Sequence, residues 1–357
     1  MKVCILDNGI TSLTLAKALV NQKIYVDIIS NKNSPTMASR TIGISKSNFN
    51  YFNRNITNIE KISWKLKKIE IYTDKNKNEK ILNFENSDEQ LFSIIKNYQL
   101  YEVLNKNLFK NKYFKKIKSK KNLIKPEKYN LIVNTEYNNI FTKKYFSKKI
   151  EKVYNGSAYT TVINHETISN QIAVQIFTNI GPLAFLPLTK NKTSIVYSIP
   201  NSKYVDRKKI IHLINQHNIK YKIKKIEKIE KFEIKSFNLR SYYHKNILAF
   251  GDLLHRIHPL AGQGFNMTIR DVNLFINIIK NKIDLGLPID SSVNYEFEKI
   301  SKHKNLIFSS GIDIVHEIFN IERKTKNELF GKSVQFIGRN RSINKFFRKV
   351  ADKGIFF

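Results

Sequence analysis

The chain holds a single cysteine, Cys4, in 357 residues. One thiol can build neither a disulfide framework nor a cysteine-based metal site, which suits a reducing, cytoplasmic setting. No uninterrupted apolar run reaches the roughly eighteen residues that a membrane-spanning helix needs. The opening MKVCILDNGI is interrupted by Asp7, so it reads as a strand and not as a secretory leader. No Ser-His-Asp set, acid–base carboxylate pair or internal repeat stands out. His255 and His258 share one loop, but two histidines without a third ligand are not a metal site, and no metal is expected.

Acidic residues are also scarce, with 29 Asp and Glu against 62 Lys and Arg for a net charge of +33. Such a balance raises a nucleic-acid or membrane partner. The lysines run along nearly the whole chain, as in KNKYFKKIKSKKN and KYKIKKIEKIEKF, interleaved with Asn and Ile. That spread is what drift toward A/T-rich codons gives, so no nucleic-acid partner is expected. A basic face resting on an anionic membrane stays open, each nearby lysine contributing about 1 kcal/mol. Hydrophobic content of 41% is ordinary and leaves a sizeable core available.

The organising stretch is NILAFGDLLHRIHPLAGQGFNMTIRDVNLFIN, residues 246–277. An apolar run from Ile247 to Phe250 reads as a buried strand ended by Gly251-Asp252. A loop with Pro259, Gly262 and Gly264 follows. Phe265, Ile269, Val272, Ile276 and Ile279 then recur at the spacing of one helix face. Asp252, where the strand ends, can accept hydrogen bonds from ligand hydroxyls. Gly262 and Gly264 remove side chains where backbone must approach a flat ring. The amides of Gly264, Phe265 and Asn266 open the helix and favour an anion, such as the edge of a reduced flavin.

GDLLHRIHPLAGQGFNMTIRDV resembles the third flavin motif of the FAD-dependent aromatic hydroxylases, the para-hydroxybenzoate-hydroxylase fold, in the branch that hydroxylates ubiquinone precursors. Gly251, Asp252, His255, His258, Pro259, Gly262, Gln263, Gly264, Asn266, Arg270 and Asp271 carry the likeness. The implied fold is α/β: a Rossmann-like FAD-binding domain with an inserted antiparallel β-sheet substrate domain and C-terminal helices. The expected division is 1–65, 88–150 and 236–300 for the FAD-binding domain, 66–87 and 151–235 for the substrate sheet, and 301–357 for the C-terminal helical segment.

The amino-terminal half matches less well. Residues 2–7, 10–22 and Tyr25–Ile29 read as a βαβ unit. Its turn is Asp7-Asn8-Gly9-Ile10-Thr11-Ser12 where G-x-G-x-x-G is expected. Gly9 keeps the position where backbone meets the pyrophosphate. Asp7 replaces the tight-turn glycine and adds charge near phosphates, and Ser12 replaces the helix-packing glycine. Ser30 or Asn31 stands where an acid holds the adenosine ribose. TMASRTIGIS resembles the next family segment and makes Arg40 a candidate for the cofactor's phosphates or ring side. Residues 62–71, with Trp64, alternate as one strand, and 90–105 resemble the family's helix entrance. YNLIVNTEYNN corresponds to the second flavin motif, with Glu136-Tyr137 in place of Asp-Gly. AYTTVINH, IAVQIFT, GPLAFLPL and TSIVYSI alternate as strands, GPLA resembling the substrate-sheet signature.

The resemblance implies that NADPH or NADH reduces FAD and that oxygen from O2, added at the flavin C4a position, passes to the ring of a polyprenylated precursor. The chemistry is then the cofactor's, with His258 and Pro259 in support. The cofactor residues it implies are Gly9, Ser12, Ser30, Arg40, Asp252, Pro259, Gly262, Gln263, Gly264, Phe265 and Asn266. The partners implied are a lipophilic aromatic substrate, O2, peripheral contact with the inner membrane face and other ubiquinone-biosynthesis proteins. Asp7, Ser12, Ser30 and Tyr137 also admit a non-catalytic scaffold of the same fold with weak or no FAD binding.

Overall fold

The computed structural model describes residues 1–30, 40–74, 80, 82–85, 90–118, 125–201, 205–259, 262–325, 345 and 349–354. In chain order the first elements are β1 (Lys2–Leu6), α1 (Ile10–Asn21), β2 (Tyr25–Ile29), β3 (Thr41–Ser45), α2 (Lys46–Asn55), β4 (Ser63–Leu66), β5 (Lys68–Thr73), β6 (Leu82–Glu85), β7 (Phe92–Lys96), α3 (Asn97–Phe109), β8 (Phe114–Ile117) and β9 (Leu131–Asn134). Next come α4 (Ile140–Tyr145), β10 (Lys149–His165), β11 (Ile172–Phe177), β12 (Pro182–Thr189), β13 (Lys192–Pro200), α5 (Arg207–His217), β14 (Ile223–Ile226) and β15 (Glu230–Leu239). β16 (Tyr243–His244), β17 (Ile247–Ala249), β18 (His255–Arg256), α6 (Gly264–Asp284) and α7 (Ser291–Thr325) complete the order.

Three sheets form among the described residues. The first runs β16-β17-β9-β1-β2-β8, parallel except for the β16–β17 pair. β1 and β9 read as continuous apolar runs because helices cover both faces of such a sheet. α1 is apolar around most of its girth, with Leu13, Leu15, Ala16, Leu19 and Val20 all buried. Parallel β1, β2 and β9 place the ends of all three strands at one edge, where an open α/β sheet forms its ligand crevice.

The second sheet has the order β18-β15-β10-β13-β12-β11-β5-β6, with β14 also on β10. Its pairs are antiparallel except β11–β5, which is parallel. The alternating stretches beyond residue 150 therefore sit in a mixed sheet, because a strand from 68–73 joins its edge. The third sheet is β3-β7-β4.

Two local expectations fail. The alternating stretch 62–71 is not one strand: it breaks at Lys67, whose amide donates to the Gln171 carbonyl at 3.0 Å, and its halves enter different sheets. Residues 92–96 form a strand and not a helix entrance. Phe92, Ser93, Ile94 and Ile95 are all buried, so both faces are covered and no alternation is visible. The polar Lys96-Asn97 step begins α3.

Candidate functional site

The loops that leave β1, β9 and β17 meet at the carboxyl edge of the first sheet. Ser12, fully buried in α1, hydrogen-bonds Thr135 Oγ1 at 2.7 Å. Thr135 in turn donates to the Leu6 carbonyl at 2.8 Å, so Ser12 is the donor of that pair. A serine is thus accommodated in the helix-packing position by joining α1 to the loop after β9. Gly251, with φ of 65°, lies against the same helix: a Cβ there would meet Thr11 Cγ2 at 2.4 Å. Asp252 follows in a single 3₁₀ turn, exposed at this edge.

Gly9 caps α1 with extended backbone and no side-chain hydrogen bond. Asp7 has φ of 95°, unusual for a residue with a side chain. Its Oδ2 would lie 3.1 Å from a Cβ on Gly9. Buried Asn8 donates through Nδ2 to the Tyr101 hydroxyl at 2.7 Å, while its Oδ1 is buried without a hydrogen-bond partner. Ser30 closes β2 with its amide donated to the Ile117 carbonyl at 3.3 Å. The Glu136-Tyr137 turn forms without positive φ at Tyr137, whose half-exposed ring lies 6.0 Å from that of Phe237.

The second part of the site joins β3 to the start of α6. A Cβ on Gly262, whose φ is 61°, would stand 3.8 Å from both Cα and N of Gly43. Gly43 in turn cannot carry a side chain, since a Cβ would meet Phe92 Cε1 at 2.1 Å. Fully buried Asn266 fastens this approach of two backbones. Its Oδ1 accepts from the Ser45 amide at 2.9 Å and from Asn48 Nδ2 at 3.0 Å. Its Nδ2 donates to the carbonyls of Gly43 at 3.0 Å and Gly262 at 3.4 Å. The Asn266 side chain therefore shapes the loop from within the protein.

No side chain caps α6, and its first turn carries no acidic residue. A Cβ on Gly264 would find only Ile257 Cγ1, at 3.9 Å. Gln263 is buried with Oε1 lacking a hydrogen-bond partner, and Phe265 packs into the core with its ring 6.4 Å from Phe52. Pro259 is half-buried, its carbonyl accepting from the Gly262 amide at 3.3 Å. Arg40 stands exposed before β3, three residues upstream of Gly43, its carbonyl accepting from the Asn97 amide.

Behind the loop, buried His255 contacts Asp271 Oδ2 through Nε2 at 2.5 Å, and Asn305 donates to the other carboxylate oxygen at 3.1 Å. Arg270 lies over the Phe308 ring at 4.4 Å, and burial pushes its guanidinium down to about 10. His258 is enclosed between Tyr154, at 4.8 Å between ring centroids, and His316, at 4.5 Å. Burial, with His316 and Lys152 adding to it, pushes its imidazole down to about 3, so it is neutral near pH 7. Tyr154 donates to Asp313 on α7, and burial followed by that carboxylate pushes the phenol up. No group of metal-ligating side chains occurs among the described residues.

Within TMASRTIGIS sequence reasoning singled out only Arg40, so it missed the roles of Gly43, Ser45 and, just beyond, Asn48, and it missed the seating of His258 against α7. The first three reach Asn266 from more than two hundred residues away in sequence, which no local pattern reports. Asp313 and His316 on one face of α7 gave only the weak hint of their spacing. Tested for a flavin, the two halves of the site differ. The corner 251–266 fits a ring: close-approach glycines, an uncapped helix start and an unpartnered buried amide oxygen. At the start of α1, Asp7 takes the place of a tight-turn glycine, with Oδ2 3.1 Å from a Cβ built on Gly9.

A family model described as an FAD binding domain matches residues 198–281, which contain that corner but not the α1 turn. The mitochondrial ubiquinone biosynthesis monooxygenase of Caenorhabditis elegans is 24% identical over 216 residues, 47% of this chain and 48% of that protein. The 3-demethoxyubiquinol 3-hydroxylase of Escherichia coli is 30% identical over 158 residues, 41% of this chain and 39% of that protein. The chain spans about half the length of the curated relatives it matches. Among solved structures, the p-nitrophenol 4-monooxygenase of Pseudomonas putida superposes with a TM-score of 0.79 at 10% identity, covering 98% of each chain. Klebsiella pneumoniae HpxO, solved with FAD and uric acid, gives 0.75 at 10% identity over 99% of this chain and 97% of that one. At such identity these two likenesses establish the fold.

Proposed function

We propose that this chain is an FAD-dependent aromatic hydroxylase, a flavin monooxygenase acting on a polyprenylated aromatic precursor of ubiquinone. The observation that carries the reading is the uncapped start of α6, held against β3 through the buried Asn266 side chain. Bound FAD would supply hydride acceptance from NADPH or NADH and oxygen transfer from O2. The chain's own residues would bind and orient it. Exposed Asp252 would accept from ligand hydroxyls, the first α6 amides would favour the anionic edge of the reduced ring, and Gly262 and Gly264 would leave room for its face. His258, neutral and enclosed, would hold the loop and not carry a proton. The apolar strands β12 and β13, tied to β3 by the 3.0 Å contact of Thr41 and Ser194 hydroxyls, would wall off water from the substrate ring.

Membrane contact belongs to the same proposal. The turn between α6 and α7 exposes Ile283, Leu285 and Leu287 beside Lys280 and Lys282, an apolar tip with basic neighbours suited to an anionic bilayer surface. No helix among the described residues is long and apolar enough to cross a membrane. A second reading, a non-catalytic scaffold, draws on Asp7 at the start of α1. Turnover separates the two. With FAD and NADPH, a prenylated phenol should gain one oxygen atom by mass spectrometry while NADPH is consumed. A protein that binds flavin yet never oxygenates such a phenol would favour the scaffold.

A further inference from the structure

We propose that Asp352 is a positioning residue for the flavin corner: it caps α2 from 305 residues away in sequence and so fixes the β3–α2 turn on which the Asn266 side chain is anchored. This rests on the flavin reading above. A helix leaves its first amides unpaired, and a side-chain oxygen at the N-cap ordinarily accepts from one of them. α2 lacks that arrangement: its N-cap Ser45 makes no side-chain cap bond, and its first turn holds no acid. Half-buried Asp352 supplies the missing acceptor, its Oδ1 taking the Ser47 amide at 2.8 Å. The carboxylate also sits at the positive end of the helix, where a negative charge is favoured.

The Asp352 backbone takes up the hydroxyls of the same turn. Ser45 Oγ donates to its carbonyl at 2.9 Å and Ser47 Oγ at 2.8 Å. Ser45 thus serves two partners at once: its hydroxyl goes to Asp352 and its amide to Asn266 Oδ1 at 2.9 Å. Asn48, in the first turn of α2, donates to the same Asn266 oxygen at 3.0 Å. Whatever holds this turn therefore holds Asn266, and through it the approach of Gly262 to Gly43. The segment 349–354 is itself seated on α6. Val350 packs with Ile257, Met267 and Phe308, and Gly354, with φ of 91°, brings bare backbone against Arg270, one turn beyond Asn266. A Cβ there would meet Arg270 Cδ, Nε and Cζ at 3.3 Å. Burial pushes the Arg270 guanidinium down, while Asp271 and then Asp352 act to keep it charged.

The test is a riboflavin fluorescence titration of the full chain as wild type, Asp352→Ala, Asp352→Asn and Asp206→Ala. Asp206 caps α5 in the same way, accepting from the Lys209 amide at 2.8 Å, but lies outside the corner, so it reports what the loss of any helix cap does. We expect Asp352→Ala to weaken riboflavin by about tenfold and Asp206→Ala by less than about twofold, at a comparable lowering of the urea midpoint. Asp352→Asn keeps a good capping oxygen and should stay within about threefold of the wild type. In the Asn266→Ala background, Asp352→Ala should weaken riboflavin by no more than about twofold further, because both substitutions release the same turn. Unchanged affinity in Asp352→Ala, an equal loss in Asp206→Ala, an asparagine variant as weak as alanine, or factors that multiply in the double variant would overturn the assignment of Asp352 while leaving the flavin reading standing. A wild type that binds no riboflavin would remove the flavin reading and this inference together.

Discussion

Replacing Asn266 by alanine should both destabilise the protein and loosen its hold on a flavin. The side chain is fully buried and joins the Ser45 amide, Asn48 Nδ2 and the Gly43 and Gly262 carbonyls. Alanine leaves the Ser45 amide and the Gly43 carbonyl without this partner, and an unsatisfied buried polar group costs about 1–3 kcal/mol. The 3.4 Å contact to Gly262 is weak, and Asn48 can turn its side chain, so these two contribute less. The expected loss is about 3 kcal/mol in urea unfolding, a large part of an ordinary domain's stability. Asn266→Asp keeps both bonds to Oδ1 but turns a second carboxylate oxygen toward the Gly43 carbonyl, so it should be no better tolerated. Flavin affinity should fall with stability in both, because the same side chain fixes Gly262 against Gly43. A loss below about 1 kcal/mol with unchanged flavin affinity would refute the role given to Asn266.

Three further outcomes follow from the structure. Gly251→Ala should cost about 2–4 kcal/mol, since it combines a left-handed backbone with a Cβ only 2.4 Å from Thr11 Cγ2, and Thr11→Ser in the same chain should recover part of that loss in a double-mutant cycle. Stability should fall as pH drops from 6.5 toward 3, because the unfolded chain takes up a proton that folded His258 refuses until about 3. The slope is at most about 1.4 kcal/mol per pH unit, and His258→Gln should flatten it in denaturation series at stepped pH; an unaltered slope would contradict the enclosure of this ring. Leu285→Glu should reduce co-sedimentation with anionic vesicles while leaving the fold unchanged by circular dichroism, whereas equal binding would remove the α6–α7 tip as the membrane contact.

Where the sequence was legible, the signal was local. Tyr25–Ile29 is a strand with the expected bounds, α1 differs by one residue at its end, and the strand, loop and helix of 247–284 stand in the expected order. Apolar periodicity and glycine punctuation report on a segment's own neighbours, and these segments face one core. Phe92–Lys96 was opaque because it is covered on both faces, and Lys67 because the change of sheet depends on Gln171, far away in sequence. The roles at the site show the same divide. Asn266 was visible as a motif residue facing a ligand, yet its side chain is engaged by β3 and α2, partners that only the folded chain supplies. Asp7 was visible as a departure from a glycine pattern, but its position over Gly9 required the backbone to be seen.

The central claim is that the corner from Gly251 to Asn266 receives a flavin ring. Riboflavin, which lacks both phosphate and adenosine, tests that corner apart from the rest of the site, and the difference absorption spectrum on adding it to the full chain is the direct measurement. Saturable perturbation of the flavin bands is expected, strongly weakened in Asp252→Ala and retained in Asp7→Asn. A wild-type spectrum that is the plain sum of free riboflavin and protein, or an Asp252→Ala protein that binds as tightly as the wild type, would contradict it.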